Sequence, residues 1–579
     1  MSDAATSGQR TSRVFRRTTY NGRTLTAYLT TFFVSIAGAV WVHRLRPNDL
    51  SYPWRVKDSD LSSVYSLAQA LGQSWTGLVH HSLGAPFNAN LALAFIPDDL
   101  HLEILRILVH VTRNPFTAVN LFYVLTFGLC GISFLFLCER LRCNRAISMA
   151  LSVAYTWLPY HFTRMNDGHV FLAAYYMLPI GVLVLVNLIR WLEGDSDRFI
   201  PDSKRGRILS AMAVVAVGSS GAYYGLFFAL LALSTLVLVP KRGKSAKELV
   251  QRASVAFAIG LGFVVAPILR NIWARTHGLD SQLSRSPLES IQFGGSISRL
   301  YVPWGTWLPQ SLRPIVERQE FEWLAVPLLA TLGIWIMTIG FVVSVVRRRN
   351  THSSLTLEPL YFLYFWALLL FSAGGLSLVF AYGIDPSFRT WNRFGIVIMT
   401  FALLAVALVG TRLLSSTSKM TIRIVAVALT LLASFTQLKQ LSSAGIGSEP
   451  DSAAQVQFEQ LKRAATTINR TISKGCSVLQ LPIMPFPEGG SVEGVGNGEH
   501  LWLPLLTSGY RWSYGAPKGS TAGDYWTTYK SITQNDFVRD LKQLNFCAIV
   551  QQADSPLAVI QFSGLHPPKR FGNFWLTML

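Results

Sequence analysis

Long apolar runs recur through most of this chain, and they constrain its fold more than any other feature. A helix needs about 20 apolar residues to cross a hydrocarbon core roughly 30 Å thick. Half of the 579 residues are hydrophobic and only 14% are charged, with a mean hydropathy of +0.34. Such a chain has too few polar residues to cover a water-facing surface of this size. The sequence therefore predicts a polytopic α-helical membrane protein.

About eleven membrane-spanning helices are expected from these runs. They lie near residues 25–43, 115–137, 145–161, 170–192, 207–220, 222–240, 253–272, 322–346, 357–383, 394–413 and 420–436. The two runs that meet at the turn GSSGAYYG could also form one broken helix, which a membrane tolerates only where protein or water satisfies the freed backbone groups. The membrane domain is predicted to occupy residues 25–436.

Basic residues are concentrated in one set of loops, which predicts the orientation of the chain. The segment 1–24 is basic and has no cleavable signal, so it is expected on the cytoplasmic side. Alternating from there, ERLRCNR, PKRGKSAKELVQR, RRRN and TRLLSSTSKMTIR are cytoplasmic turns. Topology and anionic lipid headgroups explain the net charge of +20, and no nucleic-acid partner is expected, because no basic patch is interleaved with aromatic residues.

The other loops are predicted to share the outer side, where the unusual polar chemistry collects. They include the first outer loop, residues 44–114, and the segment 273–321. Residues 437–579 have the composition of a soluble domain, with short β-rich runs, and are predicted to form an extracytoplasmic α/β domain. In this domain Cys476 and Cys547 form either a disulfide or two separate buried thiols.

Acidic residues stand out in the first outer loop. Asp58 and Asp60 form a D-x-D pair that could hold a divalent cation, and an aspartate with a raised pKa can act as a general base. Alternatively, the pair only caps the helix that follows. Asp98 and Asp99 precede apolar residues at helical spacing over positions 100–108, which predicts a helix along the membrane surface.

Cationic residues in two further outer loops are candidates for binding phosphate. Arg389 and Arg393 are spaced i, i+4 in FRTWNRF and suit phosphate oxygens, although arginines beside a tryptophan also snorkel to lipid headgroups. Arg164 lies close to Asp167 and His169 in HFTRMNDGHV. His169 could donate to a phosphate or orient a carboxylate, or it could simply be solvated or packed.

Aromatic residues accompany these candidates. Tyr223 and Tyr224 could stack on a sugar or lipid, although an interfacial aromatic belt is the better interpretation. Arg299 lies among aromatic residues beside a glycine pair, a pattern that suits a carbohydrate-binding or lid surface and equally a loop among headgroups. Lys57, next to the D-x-D pair, could help to hold a phosphate.

Several other functions lack their sequence signatures. The chain has no P-loop, no H-E-x-x-H, no C-x-x-C and no G-x-S-x-G, which argues against ATP-driven transport and against zinc or serine hydrolysis. A transporter or flippase of lipid-linked saccharides would need ionisable residues at mid-membrane depth and two related halves, and neither is evident. A membrane anchor for the outer domain would leave the acids and arginines of the outer loops unexplained.

The order of these segments resembles the GT-C glycosyltransferases, and particularly their YfhO-like and lipopolysaccharide-modifying members. A first helix, a long acidic outer loop with surface helices, a multi-helix body and a C-terminal outer domain follow one another in both. The resemblance covers roughly residues 25–415 and is carried by the acidic stretch at Asp60 and by LGAPFNANLALAFIPDD, LPYHFTRMNDGHVFLAAYYMLP, GAYYG and RTWNRF.

The resemblance implies a location and an activity. Such enzymes of the bacterial inner membrane transfer a hexosyl or pentosyl group, with inversion, from an undecaprenyl or other polyprenyl phosphate. The acceptor, at the outer face, is an envelope glycan or glycolipid such as a lipopolysaccharide O-antigen. The resemblance makes Asp60 the first candidate and Asp58 the second for the catalytic base or, with Mg²⁺ or Mn²⁺, for a metal ligand. The leaving group of such a reaction is a phosphate anion that cations must neutralise, and the candidate carrier-phosphate ligands are Arg389, Arg393, Arg164 and Lys57. The supporting candidates are Asp98, Asp99, Asp167, His169, Tyr223, Tyr224 and Arg299.

Overall fold

A helical body and a smaller C-terminal domain make up the structure, which is a computed structural model. It describes residues 22–57, 60–93, 98–194, 203–239, 245–276, 285–304, 324–346, 357–416, 420–444, 452–529, 534–552 and 565–579. Asp58 of the D-x-D pair and RRRN, which is predicted to be a cytoplasmic turn, therefore lie outside the described residues.

Helices form nearly all of the body. In chain order they are α1 (Gly22–Val42), α2 (Leu61–Gln73), α3 (Asp99–Thr112), α4 (Pro115–Arg140), α5 (Arg145–Thr156), α6 (Pro159–Asn166), α7 (Val170–Ala173), α8 (Leu178–Glu193), α9 (Lys204–Ser219), α10 (Ala222–Ser234), α11 (Ala246–Thr276), α12 (Glu289–Gln292), α13 (Ile297–Leu300), α14 (Leu328–Val346), α15 (Leu357–Phe371), α16 (Leu376–Gly383), α17 (Phe394–Ser416) and α18 (Met420–Ser443). Short 3₁₀ turns lie at Pro47–Ser51, Leu91–Leu93, Thr235–Leu238 and Trp391–Arg393.

Six of the described helices are long and apolar enough to cross a membrane, namely α1, α4, α11, α14, α17 and α18. Each of the eleven expected runs contains helix, but several runs are broken. The run at 145–161 is interrupted between α5 and α6 because Pro159 lacks the backbone N–H that would continue the first helix. The run at 357–383 is interrupted after Phe371, where Gly374 takes a positive φ of 72°.

The first outer loop is fastened to the body by a buried amide of α4. Asn120 donates to the carbonyls of Leu50 and Tyr52, at 3.0 and 2.8 Å, and accepts from the hydroxyl of Tyr65 at 2.9 Å. A buried amide with these partners is satisfied, so it orients the loop without a desolvation penalty. The start of α2 is thereby held against α4.

The surface helix α3 presents two different faces. Leu102 and Leu105 are buried in the body. The face predicted to touch the membrane is the less buried one, and its Ile107 is 56% exposed. An exposed apolar stripe opposite a packed stripe is the pattern of an interfacial helix, so contact of α3 with the membrane stays a prediction that this exposure favours.

The C-terminal domain is built around a mixed five-stranded sheet. Its helices are α19 (Ser452–Thr471), α20 (Trp502–Leu506), α21 (Thr521–Thr527) and α22 (Gln534–Gln543), with a 3₁₀ turn at Glu499–Leu501. A two-stranded hairpin of the first outer loop, β1 (Val79–His80) and β2 (Ala89–Asn90), precedes the sheet strands β3 (Ser477–Leu481), β4 (Arg511–Trp512), β5 (Phe546–Gln552), β6 (Lys569–Phe571) and β7 (Phe574–Met578). The strand order is β4-β3-β5-β7-β6, with β3 parallel to β4 and β5 and the remaining pairs antiparallel. The predicted α/β character is confirmed.

A disulfide joins the adjacent strands β3 and β5. It links Cys476 with Cys547, whose Cα atoms are 5.9 Å apart, within the usual range for a bridge. Of the two alternatives that the sequence left open, the structure therefore has the disulfide.

The first outer loop and the C-terminal domain pack directly on each other. Ser82 accepts from the backbone N–H of Trp512 at 2.8 Å, and Ala85 donates to the carbonyl of Trp512 at 2.9 Å. The loop thus covers the outer edge of β4, which would otherwise present unpaired backbone groups. The indole of Trp502 also donates to the carbonyl of Val56 at 3.0 Å. Both contacts bring the C-terminal domain over the start of α2.

Candidate functional site

A cavity of about 1590 Å³ lies where the predicted outer loops meet α10 and α11. Seven of the residues proposed from the sequence line it: Asp60, Asp98, Asp167, His169, Tyr223, Arg389 and Arg393. They come from the first outer loop and three other loops, so segments far apart in sequence converge on one space. The sequence predicted that these loops share a side, but nothing in its pattern specified that they meet at one cavity.

Asp60 stands at the N-terminus of α2, and a glycine allows its position. Its backbone N–H donates to the carbonyl of Asp167 at 3.2 Å. Gly168 has a φ of +83°, and a Cβ there would lie 2.5 Å from the backbone nitrogen of Asp60. Only glycine combines this backbone conformation with so close an approach. The turn after α6 therefore fixes the location of the carboxylate.

Nitrogen groups surround the Asp60 carboxylate, which is about half exposed to the cavity. Asn497 of the C-terminal domain donates to Oδ1 at 3.3 Å, and His169 Nε2 lies 3.5 Å from Oδ2. Burial raises the pKa of Asp60, but the hydrogen bonds of His169 and Asn497 and the charges of His169 and Arg393 outweigh it, so the pKa is lowered. Asp60 is an anion at neutral pH.

Asp98 has a different environment although it belongs to the same loop. Its side chain is buried, and Oδ1 accepts from the backbone N–H of Ala222, the first residue of α10, at 3.2 Å. Burial raises the pKa of Asp98 to about 7, despite the opposing effects of the Ala222 hydrogen bond and of Arg270 and Arg393. A carboxyl group with this pKa can take up or release a proton near neutral pH.

Arg393 is a buried cation whose charge acts on both acids. Its guanidinium lies 4.5 Å from the centre of the Tyr223 ring, which suits a cation–π contact. Its charge lowers the pKa of Asp60 and that of Asp98. Tyr223 therefore supports a cation whose charge acts on both carboxyl groups.

A second group of charges lies in the same cavity wall. Arg389 Nη1 donates to Glu289 at 2.7 Å, and Arg389 also lies over the Phe293 ring. Arg285 donates to Glu488 of the C-terminal domain at 2.8 Å. Burial raises the pKa of Glu289, but the Arg389 hydrogen bond and further favourable contacts outweigh it, so this pKa is lowered.

The cavity continues from the charged end along an apolar arm between α10 and α11. The arm is lined by Leu226, Ala229, Leu230 and Leu233 of α10 and by Phe257, Gly260, Leu261, Val264 and Ile268 of α11. These positions repeat every three or four residues, so each helix contributes one continuous face. Phe257 and Leu261 are about half exposed, which opens the arm toward the apolar outer surface of the body.

Five of the proposed residues lie outside the cavity lining. Arg164 is buried over the Tyr160 ring and pairs with Asp167 at 3.5 Å, because α6 turns it into the body. Tyr224 is buried, one residue around α10 from Tyr223, and its hydroxyl lies 3.3 Å from that of Tyr160. Asp99, Arg299 and Lys57 complete the set. Asp99 pairs with Arg270. Arg299 is buried, and Lys57 is exposed.

Sequence reasoning missed four cavity residues that form part of these contacts. They are Arg270, Arg285, Glu488 and Asn497. Arg270 did carry a signal, since it is a charged residue inside the predicted span 253–272, and such residues commonly mark functional sites. The other three lie in polar segments where nothing separates them from ordinary surface residues.

The part of the chain that the structure describes contains no complete set of metal ligands. No group of three or more His, Cys, Asp or Glu side chains is placed to hold an ion there. The partners of Asp60, by contrast, are an amide that donates and a histidine. The D-x-D cation site thus depends on Asp58, and it stays a prediction.

Three solved structures are similar to the whole chain. The arabinofuranosyltransferase AftD from mycobacteria matches with a TM-score of 0.51 and 13% identity, over 95% of this chain and 39% of AftD. An oligosaccharyltransferase from Archaeoglobus fulgidus, in complex with Zn and sulfate, matches with a TM-score of 0.50 and 12% identity, over 90% of this chain and 68% of the oligosaccharyltransferase. ArnT from Cupriavidus metallidurans, bound to undecaprenyl phosphate, matches with a TM-score of 0.51 and 10% identity, over 96% of this chain and 98% of ArnT.

At these identities the likeness shows the fold alone. The chain spans about two fifths of the length of AftD but nearly all of ArnT. The predicted resemblance to the GT-C fold, and with it the polytopic membrane architecture, is confirmed. No protein-family model and no curated protein matches the sequence.

Proposed function

We propose that this protein is a glycosyltransferase that takes a sugar from a polyprenyl-phosphate carrier. One observation carries the proposal: a single cavity joins a charged end, with aspartates and arginines, to an apolar arm between two helices. A lipid-linked sugar phosphate has the same division into a polar head and a long hydrocarbon tail. The GT-C fold supports the proposal, and ArnT, which shares that fold, has been solved with undecaprenyl phosphate bound.

The charged end offers the groups that an inverting displacement requires. An acceptor hydroxyl attacks the anomeric carbon, the bond from that carbon to the carrier phosphate breaks, and the phosphate leaves with the bonding electrons. We assign Asp60 to accept the proton of the attacking hydroxyl, since its carboxylate is charged and reaches the cavity. Arg393 is placed to neutralise the charge that develops on the leaving phosphate.

We further propose an acceptor and a location for the reaction. The acceptor is an envelope glycan or glycolipid, such as a lipopolysaccharide O-antigen, on the outer face of a bacterial inner membrane. The N-terminus is then cytoplasmic and the C-terminal domain extracytoplasmic. The convergence of all six predicted outer segments on one cavity supports this topology, because loops that share a cavity must share a side.

The test is transfer of labelled sugar by the purified full-length protein from a panel of synthetic polyprenyl-phosphate sugars. We expect turnover with at least one donor, and a clear loss of carrier affinity when its chain is shortened from undecaprenyl to geranyl, since the apolar arm would then be largely unfilled. Parallel reactions with EDTA test the predicted cation. A loss of turnover that Mg²⁺ or Mn²⁺ restores would support a metal role for Asp58 and Asp60.

Transport is the outcome that would replace this proposal. If no donor gives turnover while undecaprenyl-linked saccharides still bind saturably and cross the membrane of proteoliposomes, the protein is a transporter or flippase. Equal affinity for the long and the short carrier would separately contradict the assignment of the apolar arm.

A further inference from the structure

A carboxylate of the C-terminal domain lies among the arginines of the cavity. Both oxygens of Glu488 accept from Arg285 Nη2, at 2.8 and 3.0 Å. Glu488 also lies 3.6 Å from Arg389 Nη2. Three side chains from distant segments therefore meet in one charged contact within the cavity lining.

Arg285 has N–H donors that do not bind Glu488. Its side chain is only 8% exposed, and among the described residues its buried Nε has no hydrogen-bond partner. A guanidinium presents five N–H donors in a planar fork that suits phosphate oxygens in pairs. A phosphate group, with more oxygens than a carboxylate, could bind Nε and Nη2 of Arg285 and still reach Arg389.

Glu488 is placed on a loop that can withdraw it. Its own φ is +58° and that of Gly490 is +68°, and Gly489 lies between them. The loop from 487 to 498 contains five glycines, which lowers the cost of rearranging its backbone. The Glu488 side chain is also 44% exposed, so it can leave the arginines without moving through packed side chains.

We propose that Arg285 and Arg389 form an anion subsite for a phosphate group, and that Glu488 occupies this subsite until the phosphate displaces it. This inference deepens the proposed function and rests on it only for the source of the phosphate. That source is either the lipid carrier or a soluble or acceptor-borne phosphate, and the chemistry of recognition is the same.

The same loop connects the subsite to Asp60. The backbone N–H of Gly489 donates to Asn497 Oδ1 at 3.3 Å, and Asn497 Nδ2 donates to Asp60 Oδ1 at the same distance. Withdrawal of Glu488 moves Gly489, which loosens the hold of Asn497 on the carboxylate. Filling of the anion subsite is thus linked to release of Asp60 from Asn497. While the subsite is empty, Asn497 stays hydrogen-bonded to the Asp60 carboxylate.

Binding measurements on the full-length protein in nanodiscs test the subsite. The probes are undecaprenyl phosphate and inorganic phosphate, and the variants are Glu488→Gln and Arg285→Gln. Glu493→Gln, in the same loop but outside the cavity lining, is the matched control. We expect Glu488→Gln to tighten binding about tenfold and Arg285→Gln to weaken it about tenfold, the size of one charge-assisted hydrogen bond, with the control within twofold of wild type.

The two probes identify the source of the phosphate. Tighter binding of undecaprenyl phosphate by Glu488→Gln supports the subsite and assigns it to the carrier. Tighter binding of inorganic phosphate alone supports the subsite and assigns it to a soluble or acceptor-borne group. Unchanged or weaker binding of both probes by Glu488→Gln overturns the inference, because a purely structural ion pair would give that result.

Two further measurements keep the test decisive. If Glu488→Gln does not fold, Glu488→Asp withdraws the carboxylate by one methylene while keeping its charge, and we expect about threefold tighter binding. Absence of that tightening overturns the inference. Since binding needs no turnover, tighter binding by Glu488→Gln in a protein that transfers no sugar would uphold the subsite while the proposed function fails.

Discussion

The surroundings of Asp60 and of Asp98 make an instructive contrast, since both acids belong to the first outer loop and line one cavity. Asp60 is half exposed and faces Asn497 and His169, which stabilise its charge. Asp98 is buried against the start of α10 and has a pKa raised to about 7. The two residues are of the same type, so the difference in pKa comes from their surroundings. Hydrogen-bond donors keep Asp60 charged, whereas desolvation brings the pKa of Asp98 close to neutral pH.

Replacement of Asp60 is expected to have the largest effect. Asp60→Asn removes the charged acceptor of the proton while keeping the size of the side chain. We expect the turnover for sugar transfer to fall about a thousandfold with carrier affinity within a few-fold of wild type. Asp536→Asn, on the exposed face of helix α22, is the control. A loss below tenfold would transfer the role of base to Asp98.

The placement of Asp60, as distinct from its charge, is tested at Gly168. Gly168→Ala forces a Cβ against the backbone of Asp60 and should lower turnover about a hundredfold, because small displacements of a reacting group are costly. Gly194→Ala is the matched control, since Gly194 has a similar φ of +86° but nothing within 4 Å of its Cβ position. Equal effects of the two substitutions on turnover would show that backbone strain alone, without displacement of Asp60, explains the loss.

Replacement of Asp98 is expected to have a smaller effect on turnover, and this effect should depend on pH. Asp98→Asn should lower turnover about tenfold and remove an apparent pKa near 7 from the pH profile. The raised pKa also means that the folded state holds this proton more tightly than the unfolded state. The stability that Asp98 contributes is therefore present below about pH 4 and is lost as the pH rises toward 7.

The stability of Asp98→Asn gives an independent check of that environment. Measured as apparent unfolding temperature, the difference between variant and wild type should shift in favour of the variant between pH 5 and pH 8, because only the wild type then has a buried charge to desolvate. A difference that is the same at both pH values would mean that Asp98 is solvated.

Asn497→Ala is expected to have the smallest effect. The variant loses one of the hydrogen bonds that lower the pKa of Asp60, so the acidic limb of the turnover profile should move to higher pH. We expect turnover at neutral pH to change about threefold. Asn573→Ala, in the exposed turn before β7, provides the comparison. An unmoved acidic limb would show that Asn497 does not act on Asp60.

The sequence by itself determined the architecture and most of the chemical groups. Apolar runs, basic turns and the change in composition near residue 437 predicted the helical body and the C-terminal α/β domain, because burial of apolar surface is specified locally by residue type and spacing. The same reasoning singled out Asp60, Asp98 and Arg393 as charged residues of the predicted outer loops. It could not assign their different protonation, which depends on partners elsewhere in the chain.

Only the tertiary structure decided which side chains meet. Asn497 and Asp60 are 437 positions apart, and Glu488 reaches Arg285 across 203 positions. Such contacts depend on how the C-terminal domain packs against the first outer loop, which no local pattern encodes. Packing also turned Arg164 into the body and left Arg393 in the cavity, since rotation and tilt of each helix determine which of its polar residues face a shared space.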